Sequence, residues 1–109
     1  MTVKELSSLS GFTEIFLAEP EWEIEGCYVG DLLSWVMGRA QSGNAWITIM
    51  SNVNVLAVAT LADVSCVILA EGVKLDDEVL TVAREKEINV LSTELPMYEG
   101  SLALAEALK

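Results

Sequence analysis

The chain has 109 residues, of which 17 are Asp or Glu and 6 are Lys or Arg, so its formal net charge is −11, while 52% of its residues are hydrophobic. This length predicts one domain, residues 1–109, and the apolar content excludes a disordered acidic tail. The charge argues against nucleic-acid binding, because phosphates would be repelled. The sequence contains no His, which removes the commonest metal ligand and the usual general base near neutral pH. Composition therefore disfavours most classes of enzyme.

Short elements are predicted along the whole chain. Thr2 and Glu5 match a capping box that opens a helix over residues 3–9. Hydrophobic periodicity, turn residues and helix caps then predict, in order, strands over 14–18 and 23–29, a helix over 32–40, a strand over 45–49, a helix over 53–62, a strand over 65–69, a helix over 76–86, a strand over 88–91 and a helix over 97–108.

The alternation of strands and helices predicts the fold class. Strands that are near-continuous apolar runs indicate a sheet that is covered on both faces. We expect an α/β fold with three layers, α/β/α, around a mostly parallel or mixed central sheet. The first two strands would add an antiparallel edge. The helix over 53–62 is apolar almost all round, so we expect it to be buried on more than one side.

Two further features concern the cellular environment. Cys27 and Cys66 lie in apolar stretches and form no C-x-x-C pair, so we expect buried, reduced thiols in a cytoplasmic protein without a signal peptide. Residues 40–62 carry no charge and are about long enough to cross a membrane. However, Asn52 and Asn54 near the middle would be costly in lipid. Two buried elements separated by a polar turn are the favoured interpretation.

The carboxyl ends of the predicted strands carry the candidate ligand-binding residues. Ligands of open α/β sheets bind at these ends. In this sequence the strand ends have hydroxyl, amide and carboxylate groups and lie next to the starts of helices. The candidates are Gly30, Asp31, Thr48, Asn52, Asn54, Glu71, Gly72 and Thr93. The alternative is that these residues only cap helices and form turns. Asn54 fits that alternative least, because residues before it already supply a cap.

No catalytic or metal-binding motif is present. A P-loop requires a Gly-Lys dipeptide, which the sequence lacks, and a Ser or Cys nucleophile has no His to activate it. The acidic run at residues 76–78 is typical of a helix start. We therefore expect no catalytic residue, no metal and no cofactor. The weakest alternative is a hydrolase that uses Asp31 or Glu71.

Trp35 and Met37 are candidate interface residues. Both lie off the main apolar face of their predicted helix, and exposed Trp and Met are enriched where subunits meet. A second core that covers them within the same chain is the alternative.

Several segments resemble the DRTGG domain family. The resemblance lies in residues 28–40, which include Gly30-Asp31-Leu32-Leu33-Ser34, and continues through 45–49, 52–59, 68–72 and 88–93. The motif that names the family is degraded, since Glu21-Trp22 and Glu25-Gly26-Cys27 stand in its place and only Gly26 matches. The resemblance implies a fold similar to the N-terminal domain of HPr kinase/phosphorylase, without its separate kinase domain. It also implies a dimerising regulatory module, in some relatives near an adenine nucleotide.

These observations give two hypotheses. The first is a non-enzymatic regulatory or interaction module, a homodimer or a partner of another protein, that binds neither nucleic acid nor membrane. The second is a small-ligand sensor that binds an adenine-nucleotide-like molecule at the carboxyl ends of the strands. Because the chain is acidic, a phosphorylated ligand would require Mg²⁺.

Overall fold

A five-stranded sheet forms the centre of the structure, a computed structural model that describes residues 1–109. The strands are Phe12–Phe16 (β1), Cys27–Val29 (β2), Ala45–Thr48 (β3), Cys66–Leu69 (β4) and Val90–Thr93 (β5). Their order across the sheet is β1-β5-β4-β3-β2. The pairs β2–β3, β3–β4 and β4–β5 are parallel, and β1 runs antiparallel to β5. The sheet is thus mixed and mostly parallel, as predicted.

Five helices cover the sheet, and the predicted three-layer α/β/α fold is confirmed. They are Val3–Ser7 (α1), Leu33–Arg39 (α2), Val53–Ala62 (α3), Asp77–Glu85 (α4) and Met97–Ala107 (α5). One core cluster joins one side of the sheet to α2, α3 and α4. The other joins the opposite side to α1 and α5. None of the helices combines the length and the apolar character that crossing a bilayer requires.

The first two strands are placed differently from the expectation. They do not form a pair: β1 lies at one edge of the sheet and β2, parallel to β3, at the other. The segment between them instead runs along α1, where the amides of Val3 and Lys4 donate to the carbonyls of Trp22 and Pro20. The expected antiparallel edge therefore consists of β1 alone.

Cys27 is also placed differently from the expectation. Cys66 is buried, but Cys27, on the edge strand β2, is exposed. Burial raises the pKa of the Cys66 thiol to about 12, and lost hydration around the Cys27 sulfur raises its pKa to about 11. Both thiols therefore stay protonated, and weakly nucleophilic, near neutral pH.

The helix α3 has the predicted bounds but a different environment. Its inner side is buried through Val55, Leu56 and Val58. Its outer side carries Val53 and Leu61, which are 47% and 70% exposed. The expectation that this apolar helix is buried on more than one side is therefore wrong, since its outer side is open to solvent.

A row of buried polar residues, the amino-terminal row, precedes the three inner strands. Asn44, Ser65 and Asn89 stand directly before β3, β4 and β5 and are 8%, 1% and 2% exposed. The Ser65 amide and hydroxyl both donate to the Asn44 carbonyl, and Asn89 Nδ2 donates to the Ser65 carbonyl. The row ties the starts of these strands together.

Candidate functional site

The carboxyl edge, defined here as the residues that end β2, β3, β4 and β5 or follow them, holds the predicted ligand residues. In a parallel sheet these ends meet at one edge, so residues distant in sequence become neighbours. The predicted residues form two groups. One lies at the ends of β2 and β3, and the other at the ends of β4 and β5.

Asp31 and Thr48 meet in the first group. Thr48 Oγ1 donates to Asp31 Oδ1 over 2.7 Å, and the Ile49 amide donates to the same oxygen over 2.9 Å. Gly30 lies beside them, where its carbonyl accepts from Trp46 Nε1 at 2.9 Å. These bonds hold the loop after β2 against the end of β3. They also engage one of the two carboxylate oxygens of Asp31, the residue considered above for a hydrolase.

Asn52 and Asn54 follow at the start of α3. Asn52 is the N-cap, and its Oδ1 accepts from the Asn54 amide at 2.9 Å. The Asn54 side chain is exposed and makes no hydrogen bond within the chain. Asn52 is thus a helix cap, whereas nothing in the fold accounts for the choice of Asn at position 54.

Glu71, Gly72 and Thr93 form the second group. Glu71 and Gly72 both have positive φ, 60° and 70°, and make a tight turn after β4. The Gly72 amide donates to the Thr93 carbonyl at 2.9 Å. The buried Thr93 hydroxyl donates to the Gly11 carbonyl at 2.6 Å. No side-chain hydrogen bond joins this group to the first, so the predicted residues do not converge on one point.

Two cavities open along the carboxyl edge, one beside each group. The first, the α3–α4 cavity, has a volume of about 400 Å³ and is lined by Ser51, Asn52 and Val53 on one side and by Asp76, Glu78, Val79 and Val82 on the other. The second, the α4–β5 cavity, has a volume of about 200 Å³ and is lined by Ile15, Gly72, Val73, Lys74, Leu75, Leu80, Ser92 and Glu94. Of the predicted ligand residues, only Asn52 and Gly72 line a cavity.

Several lining residues were absent from the sequence-based candidates. Asp76 and Glu78 were interpreted only as a helix start, and Lys74 and Glu94 carry no motif. Ser51 and Ser92 were the available signals, because both lie near the carboxyl ends of predicted strands. The structure also has no cluster of three or more His, Cys, Asp or Glu side chains that could hold a metal ion.

Trp35 and Met37 lie on the outer surface of α2, with 52% and 48% of their surface exposed. The Arg39 guanidinium lies 3.7 Å from the centre of the Trp35 ring, in a cation–π contact. No second core of the same chain covers them. Their role in an interface stays a prediction.

Comparison with solved structures gives the fold a known relative. A crystal structure of the CBS and DRTGG domains of the regulatory region of a Clostridium perfringens pyrophosphatase, complexed with the activator diadenosine tetraphosphate, is similar to this chain with a TM-score of 0.78. The two are 13% identical, and the similarity covers 97% of this chain and 46% of the other. The chain therefore spans about half the length of that regulatory region, and at this identity the likeness shows the fold. No curated protein matches the chain.

The sequence itself matches a family model. The model described as the DRTGG domain matches residues 29–107, which is well over half of the chain. This match agrees with the resemblance in residues 28–40 and in the later segments. The chain therefore belongs to the DRTGG domain family.

Proposed function

We propose that this chain is a non-catalytic regulatory domain that acts as a homodimer. The regulatory role is supported by the comparison, since the fold is similar to that of part of a regulatory region. The homodimer is supported chiefly by the exposed apolar side of α3. Val53 and Leu61 on that side are 47% and 70% exposed, and Ala57 between them is also exposed.

These residues form one stripe along the helix. Side chains four positions apart lie on the same side of a helix, and Val53, Ala57 and Leu61 have this spacing. The neighbouring helix α2 packs against α3 and has exposed apolar residues of its own: Leu32, at its N-cap, is 57% exposed, and Trp35 and Met37 are 52% and 48% exposed. Trp35 and Met37 are two positions apart and therefore lie on different sides of α2. We propose that the stripe on α3 and one of these sides of α2 form a joint surface, the α2–α3 surface.

Charge favours a second copy of the chain as the occupant of this surface. Two molecules of net charge −11 repel each other, so they meet most easily where carboxylates are absent. The helix α3 has no charged residue, and α2 has only Arg39. In contrast, α4 and α5 carry Asp77, Glu78, Glu85, Glu99 and Glu106.

Both cysteines are unpaired, which agrees with a reducing compartment, and we place the domain in the cytoplasm.

Sedimentation velocity of matched variants tests the homodimer. We expect the wild-type chain to be a dimer at micromolar concentration. Leu61→Glu should raise the dissociation constant by at least about a hundredfold, because like charges that face each other across an interface cost several kcal/mol. The control is Leu102→Glu, which makes the same change on α5, in the opposite layer, at a residue that is 48% exposed. A monomeric wild type would contradict the proposal, as would dissociation by Leu102→Glu alone.

The α3–α4 cavity supports a second candidate function, the binding of an adenine nucleotide. It is the larger cavity, about 400 Å³, which is within the range for small-molecule ligands, roughly 300–1,000 Å³. At the start of α3 the Asn54 and Val55 amides bond to the side chain and the carbonyl of Asn52, which leaves the Val53 amide for a phosphate. Asp76 and Glu78 face the same cavity and would repel the phosphate unless a divalent cation lies between them.

Thermal shift with ATP, AMP and diadenosine tetraphosphate, each with and without Mg²⁺, tests the nucleotide. We expect stabilisation with Mg²⁺ only. Replacing both cavity carboxylates, by Asp76→Asn with Glu78→Gln, should remove the need for Mg²⁺. Asp77→Asn is the control, because Asp77 does not line the cavity. The absence of a shift with every nucleotide would reject this candidate without affecting the homodimer.

A further inference from the structure

The α4–β5 cavity combines one cation, one carboxylate and one hydroxyl with an apolar wall. Its volume is about 200 Å³, and Ile15, Val73, Leu75 and Leu80 form the apolar part of its lining. Lys74, Ser92 and Glu94 supply the polar groups. Small-molecule sites typically have this composition, an apolar lining with a few polar groups that fix the orientation of the ligand.

The polar groups of this cavity are not used by the fold. The chain has two salt bridges, from the amino terminus to Glu23 and from Lys109 to Glu106. Lys74 and Glu94 therefore line one cavity without pairing with each other or with any other charge. The Ser92 hydroxyl also makes no hydrogen bond within the chain, whereas the hydroxyl of its neighbour Thr93 makes two. A cation, an anion and a hydroxyl are thus free for a ligand.

Gly72 leaves room for the Glu94 carboxylate at the cavity. A Cβ atom at position 72 would lie 2.5 Å from Glu94 Oε2 and 3.2 Å from Glu94 Cδ, which is closer than atoms can approach without movement. The positive φ of 70° at Gly72 also disfavours any other residue. An alanine at this position would therefore shift the flexible end of the Glu94 side chain.

We propose that the α4–β5 cavity binds a free amino acid with an aliphatic side chain. Lys74 and the Ser92 hydroxyl would bind the carboxylate of the ligand, Glu94 its ammonium group, and Leu75 and Leu80 its side chain. The volume of about 200 Å³ fits a ligand smaller than a nucleotide, since sites for drug-sized ligands begin at roughly 300 Å³. The inference goes beyond the proposed function, because it depends neither on the homodimer nor on nucleotide binding at the α3–α4 cavity.

The strength of binding follows from the exposure of the charges. Lys74 and Glu94 are exposed, so water and salt weaken their ion pairs with a ligand. We expect millimolar affinity that falls as the salt concentration rises. Because both charges contribute, a ligand that lacks either its carboxylate or its ammonium group should bind at least about tenfold more weakly.

Titrations followed by ¹H–¹⁵N correlation NMR test the proposal. The probes are L-leucine, 4-methylpentanoate, which lacks the ammonium group, and 3-methylbutylamine, which lacks the carboxylate. L-leucine should shift the amides of residues 72–75 and 92–94 and bind at least about tenfold more tightly than either analogue. Lys74→Gln and Glu94→Gln should each weaken it by a similar factor. Lys86→Gln and Glu99→Gln, which change the charge equally outside the cavity, should not.

The proposal would be overturned if the amides did not respond to L-leucine, or if L-leucine and either analogue bound with equal affinity. It would also be overturned if Lys74→Gln and Glu94→Gln left the affinity for L-leucine unchanged. A fourth variant, Gly72→Ala, should weaken L-leucine binding by displacing Glu94 and leave the nucleotide response of the α3–α4 cavity intact. If nucleotides shift the thermal transition and L-leucine gives no response, this inference fails while nucleotide binding at the α3–α4 cavity stands.

Discussion

The two ends of the inner strands carry similar polar side chains and use them differently. At the amino end, Asn44 and Asn89 are buried, and all their side-chain bonds go to backbone groups. At the carboxyl edge, Thr48 and Thr93 are also buried and bonded, but the side chains of Asn54 and Ser92 make no hydrogen bond within the chain. The amino-terminal row is fully used in hydrogen bonds that hold the fold together, whereas the carboxyl edge leaves unbonded polar groups beside two cavities. A polar residue at a strand end therefore indicates a ligand site only when the fold does not already use its hydrogen bonds.

Asn89→Ala should have the largest effect, because Asn89 makes four side-chain hydrogen bonds. Its Oδ1 accepts from the amides of Ala18 and Glu19, each at 2.8 Å. Its Nδ2 donates to the carbonyls of Glu19 and Ser65. The alanine variant leaves these backbone groups without partners, so we expect a loss of about 3–5 kcal/mol in the free energy of unfolding. Urea denaturation followed by circular dichroism measures it. A loss below about 1 kcal/mol, the net value of one ordinary hydrogen bond, would contradict a structural role for the amino-terminal row.

Asn44→Ala should have the second largest effect. Asn44 Nδ2 donates to the Glu25 carbonyl at 2.6 Å, and its Oδ1 accepts from the Gln41 amide at 2.9 Å. With half as many bonds as Asn89, it should stabilise the fold by about 2–3 kcal/mol in the same denaturation experiment. Equal losses for Asn44→Ala and Asn89→Ala would show that the number of bonds does not decide the effect.

Thr48→Val tests how much the hydrogen bonds at the carboxyl edge stabilise the fold, because valine has nearly the same shape as threonine. The variant removes the hydroxyl that donates to Asp31 and accepts from the Met50 amide. We expect a loss of about 1–2 kcal/mol, since Asp31 keeps its bond from Ile49 and the Met50 region reaches water. A loss as large as that of Asn89→Ala would mean that the carboxyl edge is as important for stability as the amino-terminal row. The two ends of the strands would then not differ as described.

The sequence predicted those parts of the fold that depend on local patterns. The helix over 53–62 has the predicted bounds, and the Thr2–Glu5 capping box is present. The positions of β1 and β2 were wrong because strand order depends on contacts between distant segments, and consecutive strands usually pair. The sequence-based candidates indicated the α4–β5 cavity only through Gly72, because its other lining residues come from distant segments. The pairing of β4 with β5, and the bond from the Gly72 amide to the Thr93 carbonyl, bring the segments with Lys74, Ser92 and Glu94 to one cavity.

Asn54→Ala should have the smallest effect on stability and is the matched control for the other asparagines. The Asn54 side chain is exposed and makes no hydrogen bond, and Ala is the better helix former at this position in α3. We expect a gain of about 0.5 kcal/mol or no change in urea denaturation. A loss above about 1 kcal/mol would show that an asparagine at the carboxyl edge is structural after all. If stability is unchanged and the nucleotide shift is lost, Asn54 is a ligand residue, because the variant then separates binding from folding. If both are unchanged, Asn54 has no part in the site.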